Sequence, residues 1–74
     1  MGNMNVLDET GHTRIIWDVD KGVEVDAARK LFDTLRAKNY VAYRVKDNGS
    51  EGEVIKHFDS GAEKLILHAP IVGG

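Results

Sequence analysis

The chain has 74 residues, a net charge of −2 at pH 7 and no cysteine. This length limits it to one domain, and the missing cysteines exclude disulfides and thiolate zinc sites. The negative net charge argues against a nucleic-acid-binding protein, because such proteins use a basic surface.

The sequence shows neither an export signal nor a membrane segment. Residues 1–5 carry no basic region followed by an apolar stretch, so no signal peptide is expected. The longest apolar run, residues 65–67, is far too short to cross a bilayer. Together with the absence of cysteine, this favours a cytoplasmic protein whose partner is a protein or a small molecule, not nucleic acid or membrane.

The chain begins with a predicted β-hairpin. Residues 5–8 and 14–19 are the strand candidates, and Ile15, Trp17 and Val19 alternate on one face of the second strand. Residues 9–12 read as the turn, since Gly11 can adopt a positive φ.

One amphipathic helix of about four turns is predicted after the hairpin. Its apolar stripe has the spacing i, i+3, i+4, i+7 and consists of Ala28, Leu31, Phe32 and Leu35. Trp17 joins the last three of these at the expected centre of the core.

Polar residues mark the two ends of this helix. Asp18 or Asp20 is expected to cap its start, and the acidic Glu24 and Asp26 suit the first turn. Lys38 and Asn39 are expected to end it, because asparagine tolerates the left-handed exit conformation.

Three further strands are predicted, at residues 40–46, 53–58 and 64–69, with turns at 47–52 and 59–61. In the first, Val41, Tyr43 and Val45 share a face. In the last, residues 65 and 67 point inward, and residues 66 and 68 lie on the other face. The order strand, strand, helix, strand, strand, strand predicts an α+β domain with one helix packed on a mixed sheet.

The residues that could carry chemistry do not assemble into a catalytic set. The histidines His12, His57 and His68 fall in a turn and two strands, which is not metal-ligand spacing, although the last two could be cross-strand neighbours. Asp18 and Asp20 could bind magnesium, but helix capping is the simpler reading.

Other motifs are equally incomplete. Residues 47–53 lack the alternating order of a calcium loop, and no serine lies in a nucleophile motif. Without cysteine there is no thiol nucleophile. We therefore expect a protein that is not an enzyme and holds neither a metal nor a bound cofactor.

The last residues form the most distinctive segment. After the final predicted strand, the sequence runs Pro70, Ile71, Val72, Gly73, Gly74. At average glycine usage, two such glycines arise by chance in roughly one chain in two hundred. Glycine has no Cβ, so a Gly-Gly pair can thread a narrow channel and carry its carboxylate into a partner's buried site.

This segment, AEKLILHAPIVGG, resembles the tails of ubiquitin-like β-grasp proteins, and most closely those of the sulfur carriers. In the small subunit of molybdopterin synthase, a strand likewise leads through proline and small apolar residues into Gly-Gly. The thiamine-pathway sulfur carrier and ubiquitin share the final strand and the glycine pair. The hairpin–helix–strands order is also that of the β-grasp, so the resemblance implies a single β-grasp domain over residues 1–69 and a Gly-Gly tail over 70–74.

The resemblance also implies a role for the tail. The carboxylate of Gly74, next to Gly73, would be adenylated by an activating enzyme that uses ATP. It would then become a thiocarboxylate or be joined to an acceptor protein, with a synthase subunit as the other possible partner. The partner-binding residues would be Pro70, Ile71 and Val72 of the tail, together with strand residues Ile66 and His68.

Two questions stay open at the level of sequence. The interaction face is expected on the sheet side opposite the helix, among Arg14, Ile16, Ile66 and His68. The alternative function is a non-catalytic interaction module of the same architecture, such as a small accessory or virion-associated protein.

Overall fold

The computed structural model describes residues 1–46 and 52–70 of the chain. In chain order, these residues form strands β1 (Gly2–Asp8) and β2 (Gly11–Trp17), helix α1 (Gly22–Ala37), and strands β3 (Val41–Val45), β4 (Glu53–Ile55) and β5 (Lys64–His68). The predicted element order and the α+β class are confirmed. In this part of the chain, no helix is long and apolar enough to cross a membrane.

The five strands form one mixed sheet in the order β2-β1-β5-β3-β4. Strand β5, the last in sequence, lies between β1 and β3, parallel to β1 and antiparallel to β3. The outer pairs, β1 with β2 and β3 with β4, are antiparallel. The chain that follows β5 therefore starts from the middle of the sheet and not from an edge.

Helix α1 covers one face of this sheet, and the core lies between them. Ala28, Phe32 and Leu35 of the predicted stripe are buried, whereas Leu31 is only partly buried. The buried apolar residues contributed by the strands and the loop before β5 are Met4, Val6, Trp17, Ala42, Ala62, Leu65 and Leu67. The predicted inward direction of Leu65 and Leu67 is thus confirmed.

A loop residue completes the core. Phe58 lies beyond the end of β4, so the strand predicted over residues 53–58 is wrong in its second half. Its ring centroid lies 5.1 Å from that of Trp17 and 5.8 Å from that of Phe32. The Trp17 indole also donates to the Ser60 carbonyl at 3.1 Å. Such contacts fix the loop because aromatic pairs and buried hydrogen bonds are both stabilising.

The segment between β2 and α1 differs from its prediction. The N-cap residue of α1 is Lys21, and it makes no side-chain capping hydrogen bond. Neither Asp18 nor Asp20 caps the helix: the Asp18 carboxylate accepts from the backbone N–H of Asp20 at 2.9 Å. Instead, the Glu24 carboxylate reaches back to the N–H of Asp18 at 3.0 Å.

This local turn also explains Val19. The backbone N–H of Lys21 donates to the Asp18 carbonyl at 2.9 Å, which turns the chain directly after β2. Val19 therefore leaves the alternating pattern and is 50% exposed. Its predicted place on the same face as Ile15 and Trp17 is wrong. Asp26, expected in the first helical turn, pairs with Arg29 further along α1.

The end of α1 follows the prediction. Asn39 adopts a φ of 69°, in the left-handed region. Its N–H donates to the Arg36 carbonyl at 3.0 Å, and the N–H of Tyr40 donates to the Leu35 carbonyl at 3.1 Å. This pair of bonds is a Schellman motif, and Tyr40 packs on the core beside it.

One ion cluster joins β3 to its neighbours. Arg44 donates to Asp59 at 2.7 Å and also pairs with Glu53 of the adjacent strand. The hydrogen bond from Arg44 lowers the pKa of Asp59, aided by the backbone N–H of Gly61 and opposed by burial. This cluster holds the loop that carries Phe58.

Candidate functional site: the open sheet face and the end of β5

The sheet face opposite α1 has no layer of described residues over it, and we call it the open face. Strand register assigns its positions, because residues paired across strands share a face. They are Asn3, Asn5, Leu7, His12, Arg14, Ile16, Val41, Tyr43, Val45, Val54, Lys64, Ile66 and His68.

Ile66 lies at the middle of the open face. Across the sheet it is paired with Asn5 on one side and Tyr43 on the other. The row continues to Arg14 at one edge and Val54 at the other. A residue in the middle row of the central strand lies at the centre of any contact that a partner makes with this face.

Apolar residues cluster on the β5–β3–β4 side of this face. We call Val41, Tyr43, Val45, Val54 and Ile66 the apolar cluster. Val54 is 61% exposed, and Val41 is also exposed. The other members are partly buried. Exposed apolar side chains that adjoin one another mark binding surfaces more often than scattered ones do.

The β1–β2 side of the face is organised by a directed chain of hydrogen bonds. Asn3 donates from Nδ2 to the Glu63 carbonyl at 3.0 Å, and Asn5 donates from Nδ2 to Oδ1 of Asn3 at 2.8 Å. Oδ1 of Asn5 then faces Nε2 of His12 at 2.9 Å. Because a carbonyl only accepts, this order requires a proton on Nε2 of His12.

Asn5 is the buried member of this chain, at 9% exposure. A buried amide without partners would cost free energy, and here both ends of the amide are satisfied. The network therefore fixes the orientation of His12 and the register of β1 against β2.

The chain leaves the sheet at the end of β5. The N–H of Ala69 donates to the Leu7 carbonyl at 2.9 Å, which extends the parallel pairing one residue beyond the strand. Pro70 has no N–H and cannot continue the ladder. Among the described residues of this segment, the last backbone bond to the sheet is therefore the one made by Ala69.

Two open depressions flank this exit. One, of about 340 Å³, lies on the side of β3, and the other, of about 250 Å³, lies beside the β1–β2 turn. They share His68, Ala69 and Pro70. The first is completed by Val41 and Tyr43, and the second by Leu7, Asp8 and Glu9.

His68 stands between the two depressions with an exposed ring. Its Nδ1 lies 2.6 Å from the Ala69 carbonyl and carries the proton, since that carbonyl only accepts. Its pairing partners across the sheet are Leu7 and Val41, so His57 and His68 are not the cross-strand neighbours that the sequence leaves open. His57 follows β4, which pairs with β3 and not with β5.

Asp8 lines the second depression as a carboxylate. The side chain and the backbone N–H of Thr10 donate to it, and these hydrogen bonds lower the pKa of Asp8. Gly11, with a φ of 128°, completes this turn as predicted.

The predicted site residues divide into two groups. Ile66 and His68 lie on the open face, together with Arg14 and Ile16, and Pro70 follows β5. Ile71, Val72, Gly73 and Gly74 lie outside the described residues. Among residues 1–46 and 52–70, no group of three or more His, Asp or Glu side chains is arranged to hold a metal ion.

Sequence reasoning missed part of this surface. Val54 and Asn5 were not among the candidate residues, and Tyr43 was only placed on an apolar face without its direction. The alternation in residues 41–45 places Val41, Tyr43 and Val45 together on one face. In β3, Ala42 is the apolar residue on the core side, so that shared face is the open one. The hydrogen-bond chain from His12 through Asn5 and Asn3 to the Glu63 carbonyl joins three separate segments, which no local pattern indicates.

Comparison with known proteins finds no matching family model, no matching curated protein and no matching solved structure.

Proposed function

We propose that this chain is a ubiquitin-like protein of the β-grasp fold whose C-terminal glycine carboxylate is activated by a partner enzyme. The activated Gly74 then becomes a thiocarboxylate, as in a sulfur carrier, or is joined to an amine of an acceptor protein. The chain itself is a carrier and not an enzyme.

The observation that carries the proposal is the position of β5. This strand is central, parallel to β1, and is followed two residues later by Pro70, which has no N–H to donate to the ladder. Residues 71–74 follow Pro70. Fully extended, that length of chain reaches about 13 Å, enough to enter a partner's active site.

The arrangement of elements supports the fold part of the proposal. A hairpin, a helix across one sheet face, and a last strand that returns to the sheet interior together match the β-grasp order. The Gly-Gly pair supports the chemical part, since residues without Cβ pass through narrow channels at the lowest steric cost.

The reaction follows from the carboxylate. A Gly74 oxygen would attack the α-phosphate of ATP bound by the activating enzyme, releasing pyrophosphate and forming an acyl-adenylate. Attack at the acyl carbon by hydrosulfide would then release AMP and leave a thiocarboxylate, and attack by an amine would release AMP and a proton and leave an amide. This chain contributes the reacting carbon, and the partner supplies the ATP site and the catalytic groups.

The open face is the natural site for the partner. Ile66 and His68 lie on it, and both depressions beside the exit are lined by His68 and Pro70. A partner that covers this face would meet the departing tail at the same place.

Intact mass spectrometry tests the proposal. The protein is incubated with ATP, magnesium and the activating enzyme encoded by its source, with and without a sulfur donor. We expect an adenylate, or the mass change produced when sulfur replaces one carboxylate oxygen, located at Gly74 by fragmentation. An unchanged mass in every condition contradicts the proposal.

A pair of variants sharpens this test. Replacing Gly73 and Gly74 by alanine keeps the chain length and the carboxylate but adds two Cβ atoms, and we expect the reaction to slow strongly. Gly22→Ala is the matched control, because a Cβ there meets no atom within 4 Å. Equal reaction of both variants would show that the glycines are not required.

A second candidate function is favoured by the open face itself. Ile16 and Val54 are 52% and 61% exposed, which suits a non-catalytic interaction module that needs no tail chemistry. Under this alternative, partner binding survives deletion of residues 73–74.

A further inference from the structure

The backbone of Ala69, directly after β5, is bonded at both of its polar groups. Its N–H donates to the Leu7 carbonyl at 2.9 Å. Its carbonyl accepts a hydrogen bond from Nδ1 of His68 at 2.6 Å. The first bond ties Ala69 to β1, and the second ties it to a side chain of β5. Ala69 is therefore held by the sheet although it follows the last residue of the strand.

The bond from His68 controls a direction. A carbonyl group and the nitrogen that follows it lie in one peptide plane. Rotation about ψ of Ala69 turns that plane, and it would carry Pro70 with it. Because His68 holds the Ala69 carbonyl, it also fixes where the nitrogen and Cα of Pro70 lie.

Pro70 adds two restraints of its own. Its ring fixes its φ at about −65°. Its Cδ disfavours the helical region for the residue before it, which keeps Ala69 extended. Together with the two hydrogen bonds, these restraints act on three consecutive torsions, φ and ψ of Ala69 and φ of Pro70. The chain thus leaves the sheet in one direction as far as Pro70.

His68 is placed to act on this exit and not on the core. Its ring is exposed and lies between the two depressions, whereas Leu67 before it fills the core. Replacing an exposed side chain has little effect on folding. The bond to Ala69 also selects the tautomer, because a neutral ring must carry its proton on Nδ1 to make it.

We propose that His68 is a positioning residue, which through its hydrogen bond to Ala69 presets the direction in which the chain beyond Pro70 leaves the sheet. This deepens the proposed function, and its kinetic consequence rests on that function. The direction itself is a property of the isolated protein and is measured without a partner.

A preset exit favours capture of the tail by a partner. When only a fraction of the molecules has the competent direction, the apparent affinity falls by that fraction. His68 raises this fraction before binding, so it lowers the partner's KM for this protein. It acts through Ala69 and not on the reacting carboxylate, so kcat does not depend on it.

Two substitutions separate the hydrogen bond from the presence of a polar side chain. In His68→Asn, the amide nitrogen takes the position of Nδ1 and can still donate to the Ala69 carbonyl. In His68→Gln, the amide nitrogen lies one bond further out, at about the position of Nε2, and the same bond is lost. His57→Gln is the matched control, because His57 is exposed and lines neither depression.

NMR spectroscopy of the isolated, isotopically labelled protein tests the direction of the exit. Long-range ¹H–¹⁵N spectra of the neutral ring should place the proton of His68 on Nδ1. Residual dipolar couplings of the Cα–Hα bonds of Ala69 and Pro70 should fit the alignment of the strands in the wild type, in His68→Asn and in His57→Gln. In His68→Gln both couplings should shrink toward zero. A wild-type proton on Nε2, or equal couplings in the wild type and His68→Gln, overturns the proposal.

Kinetics with the activating enzyme of the source test the consequence. We expect His68→Gln to raise KM for this protein about three- to tenfold, which corresponds to the loss of one hydrogen bond, with kcat unchanged. His68→Asn should recover most of this loss. Urea midpoints of the variants should match that of the wild type. Equal KM values for the two His68 variants, or a change confined to kcat, overturns the proposal.

The outcomes distinguish this inference from the proposed function. If the wild type is not activated at all, the proposed function fails, and the NMR comparison alone decides whether His68 sets the exit. If the wild type is activated and His68→Gln reacts with the same KM, the proposed function stands and the positioning role is overturned.

Discussion

Gly2 shows how one residue without a side chain can be required by packing. A Cβ at this position would lie 2.2 Å from Cζ2 of Trp17 and 2.9 Å from the Ala62 carbonyl oxygen. The indole of Trp17 is fully buried and its N–H is bonded to Ser60, so the ring has no free direction in which to move.

Gly2→Ala is therefore expected to destabilise the domain by about 1–3 kcal/mol, the usual cost of overpacking. The free energy of unfolding is measured by urea denaturation. Gly22→Ala provides the control and should leave the midpoint unchanged or slightly raised, because Gly22 is the first residue of α1 and alanine is the better helix former. A Gly2→Ala variant with the urea midpoint of the wild type would contradict the claim that Gly2 packs too closely against Trp17 to accept a Cβ.

Asp59 carries a prediction about pH. The bonds from Arg44 and Gly61 lower its pKa below the ordinary value of 3.8. A group whose pKa is lowered on folding adds stability above its unfolded pKa, and that stability is lost as the pH falls through the folded pKa.

The urea midpoint should accordingly fall between pH 5 and pH 2, about the range in which such carboxylates gain protons. Asp59→Asn should lower the midpoint at pH 7 and reduce its fall in acid. Asp8 acts in the same direction, because its pKa is also lowered. An Asp59→Asn variant with the full wild-type pH profile would contradict this role.

At the residue scale, sequence alternation correctly placed Ile66 and His68 on the face opposite the core. It could not find Asn5, whose buried amide is bonded to Asn3 on the same strand and to His12 on the neighbouring strand. It also misplaced Val19, because the Asp18 turn ends β2 earlier than the apolar pattern does. Local periodicity cannot report such non-local or turn-specific bonds.

At the scale of elements, the end of α1 was predictable from the asparagine. Asn39 occupies the left-handed position of the Schellman motif with a φ of 69°. The start of α1 was not predictable, because Asp18 bonds its own turn and leaves the capping position to Lys21.

The helix terminus can be tested by two substitutions at one site. Asn39→Ala should destabilise the protein by about 1 kcal/mol. Alanine has a Cβ that disfavours the left-handed conformation, and it lacks the polar side chain with which asparagine tolerates it. Asn39→Gly should be neutral or slightly stabilising. The melting temperatures of the wild type and the two variants are measured by circular dichroism. If Asn39→Ala melts above Asn39→Gly, the left-handed conformation at residue 39 does not contribute to stability as described.

The position of the loop after β4 depends on the side chain of Phe58. Phe58 contacts both Trp17 and Phe32, and Arg44 holds the adjacent Asp59. Phe58→Ala should cost about 2–4 kcal/mol, somewhat less than the loss of a fully buried phenylalanine, because Phe58 is partly buried. Phe58→Leu should cost less and keeps the test informative if the alanine variant unfolds.

Urea denaturation of these variants is compared with that of His57→Ala, which alters an exposed neighbour in the same loop. An effect of Phe58→Leu no larger than that of His57→Ala would show that the aromatic contacts do not anchor the loop. The apolar pattern of residues 53–58 predicts a strand that is too long. It includes Phe58 because that residue is apolar, although Phe58 packs on the core from a loop beyond β4.

At the scale of the whole molecule, the order of elements was readable from the sequence, but the order of strands in space was not. Parallel pairing of β5 with β1 joins segments at opposite ends of the chain. This pairing sends the chain out of the sheet at its centre. It connects the fold to the proposed role of Gly73 and Gly74.

The most direct measurement is fragmentation mass spectrometry of the protein after reaction with ATP and the activating enzyme of its source. The account predicts an adenylate, thiocarboxylate or isopeptide on the carboxylate of Gly74 and on no other residue. An unmodified C-terminus in the presence of active enzyme, ATP and sulfur donor or acceptor would contradict it.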